Sequence, residues 1–248
     1  MKRLREIAAG LSFAGCAFMS QAQAQTQALL VGFGTNKPPY VYEFEGRGLE
    51  FDLVAAALRE AGDEMTPYYA PMERLHLMLK HGELDAITTT SKASGIRAFY
   101  SQSYIEYQNV AVSLARNQIA VQRIAGLDRY SVSAFQRARY LLGSEFTAMV
   151  ARNPDYREEA RQITRNLLLY AGRVEVVIAD ERIFKAFNPL VENQVDSLQP
   201  VTVHRLFPAT PYSLGFIDSA ARDRFNKGLA ALRASGEYQR IMAGYAVP

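Results

Sequence analysis

Two polar segments, residues 88–97 and 180–184, each follow a short apolar run that is typical of a buried strand. Ligands of open α/β sheets bind beyond the carboxyl ends of the strands, so polar side chains at these two places are candidates for binding a small molecule. Asp180 comes directly after its strand, and its carboxylate is expected to project into such a cleft. The alternative for Asp180 is to cap the helix that begins at Glu181, and both roles can hold together.

Arg74 is a second candidate, because it is expected to occupy an unfavourable position. It lies in the first turn of a predicted helix, where a cation opposes the helix dipole. A carboxylate partner or an anionic ligand nearby would offset this cost. A solvated or internally paired arginine is the alternative.

Three aromatic residues and a glutamine are candidate wall residues of the same cleft. Tyr40 follows two prolines at a strand-to-loop junction, where its ring could stack on a ligand or pack on the loop. Tyr104, Phe135 and Gln136 could also line the cleft. Each of these three on its own is more often a packing residue than a recognition residue.

No constellation of catalytic, metal-binding or cofactor-binding residues is found in the sequence. His76, His81 and His204 lack the mutual spacing of metal ligands. Gly32-Phe33-Gly34 is similar to half of a nucleotide-binding loop, but the two prolines that follow oppose the helix start that such a loop needs. The sequence therefore predicts no cofactor and no metal site.

A sequence motif that occurs twice, which we call the repeated motif, indicates the architecture that must position these residues. Each copy is a helical run closed by a glycine, Gly82 or Gly172, and followed by a short apolar strand with an acidic residue near its start. Glycine accepts the left-handed conformation that ends a helix, and a β-branched run suits a buried parallel strand. The repeat predicts two similar α/β lobes with a cleft between them.

The hydrophobic spacing predicts the other elements of each lobe. Strands are predicted at 27–33, 64–70, 85–88, 107–114, 130–134, 174–179, 201–206 and 212–217. Helices are predicted at 50–61, 72–80, 135–142, 145–153, 156–170, from 181 onward and over 219–243. In this division, lobe 1 consists of residues 25–111 and 207–248, and lobe 2 of residues 112–206.

Residues 1–24 are predicted to be a secretory signal peptide, because a basic start precedes an apolar run and the small-residue site Ala22-Gln23-Ala24. A lipoprotein signal with Cys16 as the anchored residue is the alternative. Cleavage after Ala24 would leave 25 basic and 24 acidic side chains and no cysteine. This near-neutral charge gives no electrostatic reason to expect nucleic acid as a partner. We expect a monomer located in the periplasm.

Several segments follow one another in a characteristic order: Lys37-Pro38-Pro39-Tyr40, Gly48-Leu49-Glu50-Phe51-Asp52-Leu53, Gly82-Glu83-Leu84-Asp85-Ala86-Ile87, Tyr100-Ser101-Gln102-Ser103-Tyr104, 172–180, Tyr212-Ser213-Leu214-Gly215-Phe216 and 232–238. Together they resemble the periplasmic substrate-binding proteins of the polar amino-acid type, bacterial family 3, which deliver ligands to ABC importers. The resemblance implies a two-lobed periplasmic-binding-protein fold of type II. In that fold each lobe is a mostly parallel sheet flanked by helices, and two crossings connect the lobes.

The ligand-binding positions depart from the pattern of this family. Its amino-acid binders hold the ligand α-carboxylate with an arginine about six residues before the aromatic-serine pair, and Ser94 stands there in this chain. Arg97 is the nearest arginine and could take over this role, with a surface salt bridge as its alternative. The threonine-rich segment that precedes the site in this family is present in this chain, which makes Thr89 a candidate ligand contact. Asp180 stands at the position where the amino-acid binders of this family have the carboxylate that binds the ligand ammonium.

The segments Phe135-Gln136-Arg137-Ala138 and Leu142-Gly143-Ser144-Glu145-Phe146 resemble a divergent branch of the family. The resemblance implies a protein that closes around a small polar solute, with an amino group as one option, and presents it to an inner-membrane ABC permease. A ligand-binding sensor module without transport is the alternative. A dehydratase-like enzyme on the same fold is a more distant one.

Overall fold

The computed structural model describes residues 28–246, which form two sheets with helices packed on their faces. The predicted signal peptide, residues 1–24 with Cys16, lies outside this part of the chain. The strands are β1 (Ala28–Gly34), β2 (Glu64–Ala70), β3 (Ala86–Thr90), β4 (Phe99–Tyr100), β5 (Ile105–Tyr107), β6 (Asn109–Leu114), β7 (Val132–Phe135), β8 (Tyr156–Glu159), β9 (Val176–Asp180), β10 (Val201–His204) and β11 (Thr210–Phe216). The helices are α1 (Leu49–Glu60), α2 (Met72–Lys80), α3 (Ala138–Leu141), α4 (Ser144–Arg152), α5 (Gln162–Tyr170), α6 (Glu181–Val191), α7 (Ser219–Ala234) and α8 (Glu237–Gly244).

The first sheet has the strand order β2-β1-β3-β11-β4, with β5 also paired to β11, and we call it and its helices lobe 1. The second sheet has the order β10-β6-β9-β7-β8 and belongs to lobe 2. The chain crosses between the sheets at Gln108, and again over residues 205–209. The predicted two-lobed α/β fold is therefore confirmed.

Each sheet is mostly parallel in strand direction, and among the described strands one in each sheet, β11 or β6, runs against the others. The strands β1, β2 and β3 pair in parallel, as do β7, β8 and β9. The strands next to the crossings, β6 and β11, enter their sheets antiparallel to β9 and β3. A strand that brings the chain in from the other lobe runs against the strands that lead toward the cleft, and this accounts for the reversed direction of β6 and β11.

The helices of the repeated motif, each of which ends before a glycine, are present in both lobes. Gly82 follows α2 with a φ of 73°, and Gly172 follows α5 with a φ of 68°. Each turn leads into a fully buried strand, β3 or β9. The repeat thus places two equivalent strand ends at the cleft.

Two predicted elements in lobe 2 are wrong in part. The helix predicted over 156–170 is the edge strand β8 followed by α5, because Tyr156–Glu159 pairs with β7 along its whole length. The helix predicted over 135–142 is limited to Ala138–Leu141, since β7 continues through Phe135 and Arg137 has a left-handed φ of 68°. Both changes affect the loops that face lobe 1.

Apolar side chains of both lobes are buried around the sheets. In lobe 1, α1 packs on α7 so closely that a Cβ atom at Gly228 would lie 2.0 Å from the carbonyl oxygen of Ala57. No helix among residues 28–246 combines the length and the apolar character needed to cross a membrane.

Candidate functional site

A cavity lies between the two lobes, at the ends of the strands β3 and β9 that follow the two copies of the repeated motif. It offers about 40 Å³ to the centres of water-sized molecules. Its lining comes from both lobes and consists of Gly34, Thr35, Lys37, Met72, Thr89, Tyr107, Asn109, Phe135, Gln136, Leu141, Glu159, Ala160, Gln162, Arg165, Asp180, Ile183 and Tyr212. The lobes therefore enclose a small space with both apolar and polar walls.

The structure brings four of the predicted site residues into this lining: Thr89, Phe135, Gln136 and Asp180. Phe135 and Gln136 follow the buried part of β7, and Asp180 ends β9. Thr89 lies in β3 and has a left-handed φ of 50°. Gln136 also accepts a hydrogen bond from the backbone N–H of Glu73, at 3.3 Å across the cleft.

The other four predicted residues lie outside the lining. Arg74 and Arg97 are exposed on lobe 1. Tyr40 and Tyr104 are buried behind the cavity wall, and Tyr104 donates a hydrogen bond to the Glu50 carboxylate. They support the wall rather than form its surface.

Asp180 is fully engaged with protein donors. One of its oxygens accepts from the N–H groups of Arg182 (2.9 Å) and Ile183 (3.1 Å), which caps α6. The other accepts from the N–H of Gln108 at 2.9 Å and from the hydroxyl of Tyr40 at 3.2 Å. Burial raises the pKa of Asp180 above its ordinary value, and these hydrogen bonds oppose that rise. The capping role foreseen for Asp180 is therefore present, and its carboxylate also joins the two lobes.

A buried ion pair lies at the lobe 1 wall of the cavity, where Lys37 is a lining residue and Glu50 lies behind it. The Nζ atom of Lys37 lies 2.5 Å from a carboxylate oxygen of Glu50, and the two side chains are 4% and 0% exposed. The ammonium also donates to the hydroxyls of Thr89 (2.5 Å) and Tyr107 (3.1 Å). Lys37 thus has three acceptors and its charge is neutralised within the protein.

Glu50 is held as a carboxylate by its neighbours. Thr89 and Tyr104 donate to one of its oxygens, and Tyr107 donates to the other at 2.7 Å. Burial by itself would raise the pKa of Glu50, but the charge of Lys37 and the hydrogen bonds outweigh burial and lower it. Burial and the charge of Glu50 raise the pKa of Tyr104 and Tyr107 well above the ordinary value, so both phenols stay protonated as donors.

Arg137 of lobe 2 fastens the two lobes together. Its Nη1 atom donates to both carboxylate oxygens of Glu73, at 3.2 and 3.0 Å, and its Nη2 atom donates to the carbonyl oxygen of Ser94. The backbone N–H of Arg137 donates to Glu158 at 2.7 Å, which supports its left-handed backbone. Ser94, where the family resemblance leads one to expect an arginine, is therefore contacted by a guanidinium from the opposite lobe.

Arg165 is the functional candidate that the sequence analysis missed. It lies on α5, is 1% exposed and is part of the cavity lining. Its Nη2 atom donates to the side-chain oxygen of Gln162, whereas Nε and Nη1 have no hydrogen-bond partner among residues 28–246. Burial lowers its pKa to about 10, so the guanidinium remains charged at neutral pH. The burial of Arg165 could have been predicted from its spacing in the sequence. Arg165 precedes Leu169 by four residues, so both lie on the buried face of α5.

Lys37 and Glu50 were also missed as site residues, although both lie in segments that carry the family resemblance. Their pairing joins the loop after β1 to the first turn of α1, which no local pattern reveals. Within the described part of the chain, no three His, Cys, Asp or Glu side chains lie close enough together to hold a metal ion.

Two α/β lobes that close over a cavity lined from both sides define the class of two-lobed binding proteins. The chain belongs to family 3 of the bacterial extracellular solute-binding proteins, whose sequence profile matches residues 29–247. No curated protein sequence matches the chain significantly.

Solved structures of the same fold include both binding proteins and a sensor. A histidine kinase sensor domain with similarity to periplasmic binding proteins has a TM-score of 0.75 at 18% identity, over 89% of this chain and 96% of that one. The arginine-, lysine-, histidine-binding protein ArtJ from Geobacillus stearothermophilus has a TM-score of 0.71 at 17% identity, over 88% and 95%. An ancestral arginine-binding protein bound to glutamine has a TM-score of 0.70 at 19% identity, over 88% and 97%. At these identities the likeness shows the fold alone.

Proposed function

We propose that this protein is a periplasmic solute-binding protein that captures one small polar solute between its lobes by hinge closure and delivers it to an inner-membrane ABC importer. The observation that carries the proposal is the cavity lined by residues of both lobes. A solute in it contacts both lobes only when they are closed, so its affinity for the closed form shifts the population toward closure. No reaction is required, and we assign the protein no catalytic role.

The cavity lining favours a solute with a short apolar body and polar ends. Phe135, Leu141 and Ile183 supply apolar surface, and Gln136 and Asn109 supply amide groups. An amino group on the solute would find its carboxylate at Glu159. That residue ends β8 at the cavity and has one ion-pair partner, Arg157 at 3.3 Å, whereas Asp180 already accepts four hydrogen bonds.

Thermal unfolding of the purified protein in the presence of amino acids, polyamines, small peptides and organic acids tests the capture of a solute. A solute at 100 times its Kd is expected to add about 2.7 kcal/mol to the free energy of unfolding. Small-angle X-ray scattering with and without that solute then measures whether the lobes close. The proposal fails if none of these compounds stabilises the protein, or if a stabilising compound binds without any effect on the lobe arrangement.

A sensor module that reports the solute to a membrane receptor is the second candidate function. Its support is the fold similarity to the histidine kinase sensor domain, which spans 89% of this chain. Cells that lack the gene distinguish the two functions. Loss of uptake of the identified solute supports delivery to an importer, and normal uptake with a lost transcriptional response supports sensing.

A further inference from the structure

Arg165 is a buried charge whose hydrogen bonds are incomplete within the described protein. A guanidinium carries five N–H donors, and here only Nη2 has a protein acceptor, the side chain of Gln162. The Nε and Nη1 atoms are buried without a partner in residues 28–246. A buried charged donor that lacks an acceptor costs free energy, so such an arrangement is uncommon in native proteins and requires an explanation.

The surroundings of Arg165 place these free donors at the binding cavity. Arg165 is in the cavity lining, and its guanidinium carbon lies 5.9 Å from the centre of the Phe135 ring, which is also in the lining. Arg137, the other strongly buried arginine of this region, differs in its contacts. Its two terminal nitrogens are taken up by Glu73 and Ser94. Arg165 has no comparable contact with lobe 1 among the described residues.

We infer that Arg165 is a ligand-binding residue of lobe 2 that holds the carboxylate of a small monocarboxylate solute. The inference rests on the proposed function and adds the chemical class of the solute and the residue that selects it. A carboxylate can accept in-plane hydrogen bonds from the N–H groups that Gln162 leaves free, and such charge-assisted pairs are strong.

The other charges of the cavity favour a single negative charge on the solute. Glu159 and Asp180 add two carboxylates to the lining, and the charge of Lys37 is neutralised by Glu50. A dianion such as a phosphate would therefore face two carboxylates with one unpaired cation. A monocarboxylate, with or without an amino group directed to Glu159, fits this arrangement. The small volume of the cavity favours short molecules.

Paired probes and matched variants test the inference. The probes are acetate, propionate and the L-amino acids, each compared with its amide, which has the same shape and no negative charge. The variants are Arg165→Met and, as a control, Arg161→Met, which removes an exposed positive charge at the N-cap position just before α5. Thermal unfolding screens the probes, and isothermal titration calorimetry gives the Kd of those that bind.

We expect at least one carboxylate to bind the wild-type protein at least tenfold more tightly than its amide. Arg165→Met should weaken the binding of that carboxylate by about 10- to 150-fold, and Arg161→Met should leave the Kd within about twofold. Without ligand, Arg165→Met should melt at the same temperature as the wild type or higher, because it removes an incompletely bonded buried charge.

Several results would overturn the inference while the proposed function stands. One is a solute that stabilises the wild type and Arg165→Met equally, and another is an amide that binds as tightly as its acid. A variant Arg165→Met that fails to fold, or melts much lower without ligand, would show that Arg165 is a structural residue. If no probe of any class binds the wild type, the solute-binding function itself fails, and the role of Arg165 fails with it.

Discussion

Replacement of Lys37 by methionine is predicted to lower the free energy of unfolding by about 3–5 kcal/mol at neutral pH. The ammonium of Lys37 lies 2.5 Å from the carboxylate of Glu50, and both side chains are almost fully buried. With an effective dielectric constant of about 20, this separation corresponds to roughly 7 kcal/mol of attraction, much of which offsets the dehydration of the two ions. Methionine keeps the length of the side chain but leaves the Glu50 charge buried without a counter-ion.

The effect of Lys37→Met is expected to depend on pH in a particular sense. In the wild type the pKa of Glu50 is lowered, so its contribution to stability is present above the unfolded-state pKa of about 4.3 and is lost as the pH falls. Without Lys37, burial is expected to raise the pKa of Glu50 above the unfolded-state value. The folded variant then takes up a proton more readily than the unfolded chain, so the loss of stability caused by the substitution shrinks as the pH falls.

Urea unfolding followed by circular dichroism at pH 7 and pH 5 measures both effects. The double variant Lys37→Met, Glu50→Gln should recover more than half of the loss, because it removes the stranded charge. Arg47→Met is a matched control, since Arg47 forms an ion pair with Glu45 in which both side chains are about half exposed. This control should cost less than about 1 kcal/mol. The reasoning is refuted if Lys37→Met also costs less than about 1 kcal/mol, or if the double variant is less stable than both single variants.

Two further predictions concern the contact between the lobes and the response to acid. Arg137→Met removes the charged hydrogen bonds to Glu73 and Ser94, which should cost about 1.5–3 kcal/mol of closure. Small-angle scattering should show a larger radius of gyration, and an unchanged curve would contradict this role. Burial lowers the pKa of His76 from 6.5 to about 4. The unfolded state therefore binds this proton first as the pH falls, and stability should decrease by about 3 kcal/mol between pH 6.5 and 4. His76→Gln should lack this part of the decrease in urea unfolding, and parallel pH profiles for the two proteins would count against it.

The parts of the fold that local patterns specify were predictable from the sequence. The bounds of β2 and α2 agree with the predictions, and the glycines that close α2 and α5 have the expected positive φ. The edge strand β8 was not predictable in this way. Its residues are mostly charged and pair with β7 only, so its conformation depends on a neighbour rather than on its own apolar pattern.

The site was predictable only where a strand end determines it. Asp180 was expected at the cleft because it directly follows a predicted strand, Phe135 was expected as a wall residue, and both line the cavity. Glu50 and Arg165 lie inside helices, where a charged residue usually faces solvent. The burial of Glu50 depends on distant segments, because its partners Thr89 and Tyr107 are 39 and 57 residues away. Such pairings follow from the packing of the lobes and leave no local trace.

The two crossings between the lobes lie side by side, and Asn109 beside the first donates a hydrogen bond to Thr210 beside the second at 3.0 Å. In the proposed hinge motion, a rotation about this pair of segments would move the lobes as two rigid bodies and separate Arg137 from Glu73. The outer surface that spans both lobes would be continuous when the cleft is closed and divided when it is open. A membrane protein that contacts both lobes would therefore respond to whether the cleft is open or closed without contacting the bound solute. It would detect the separation of the lobes rather than the chemical identity of the solute.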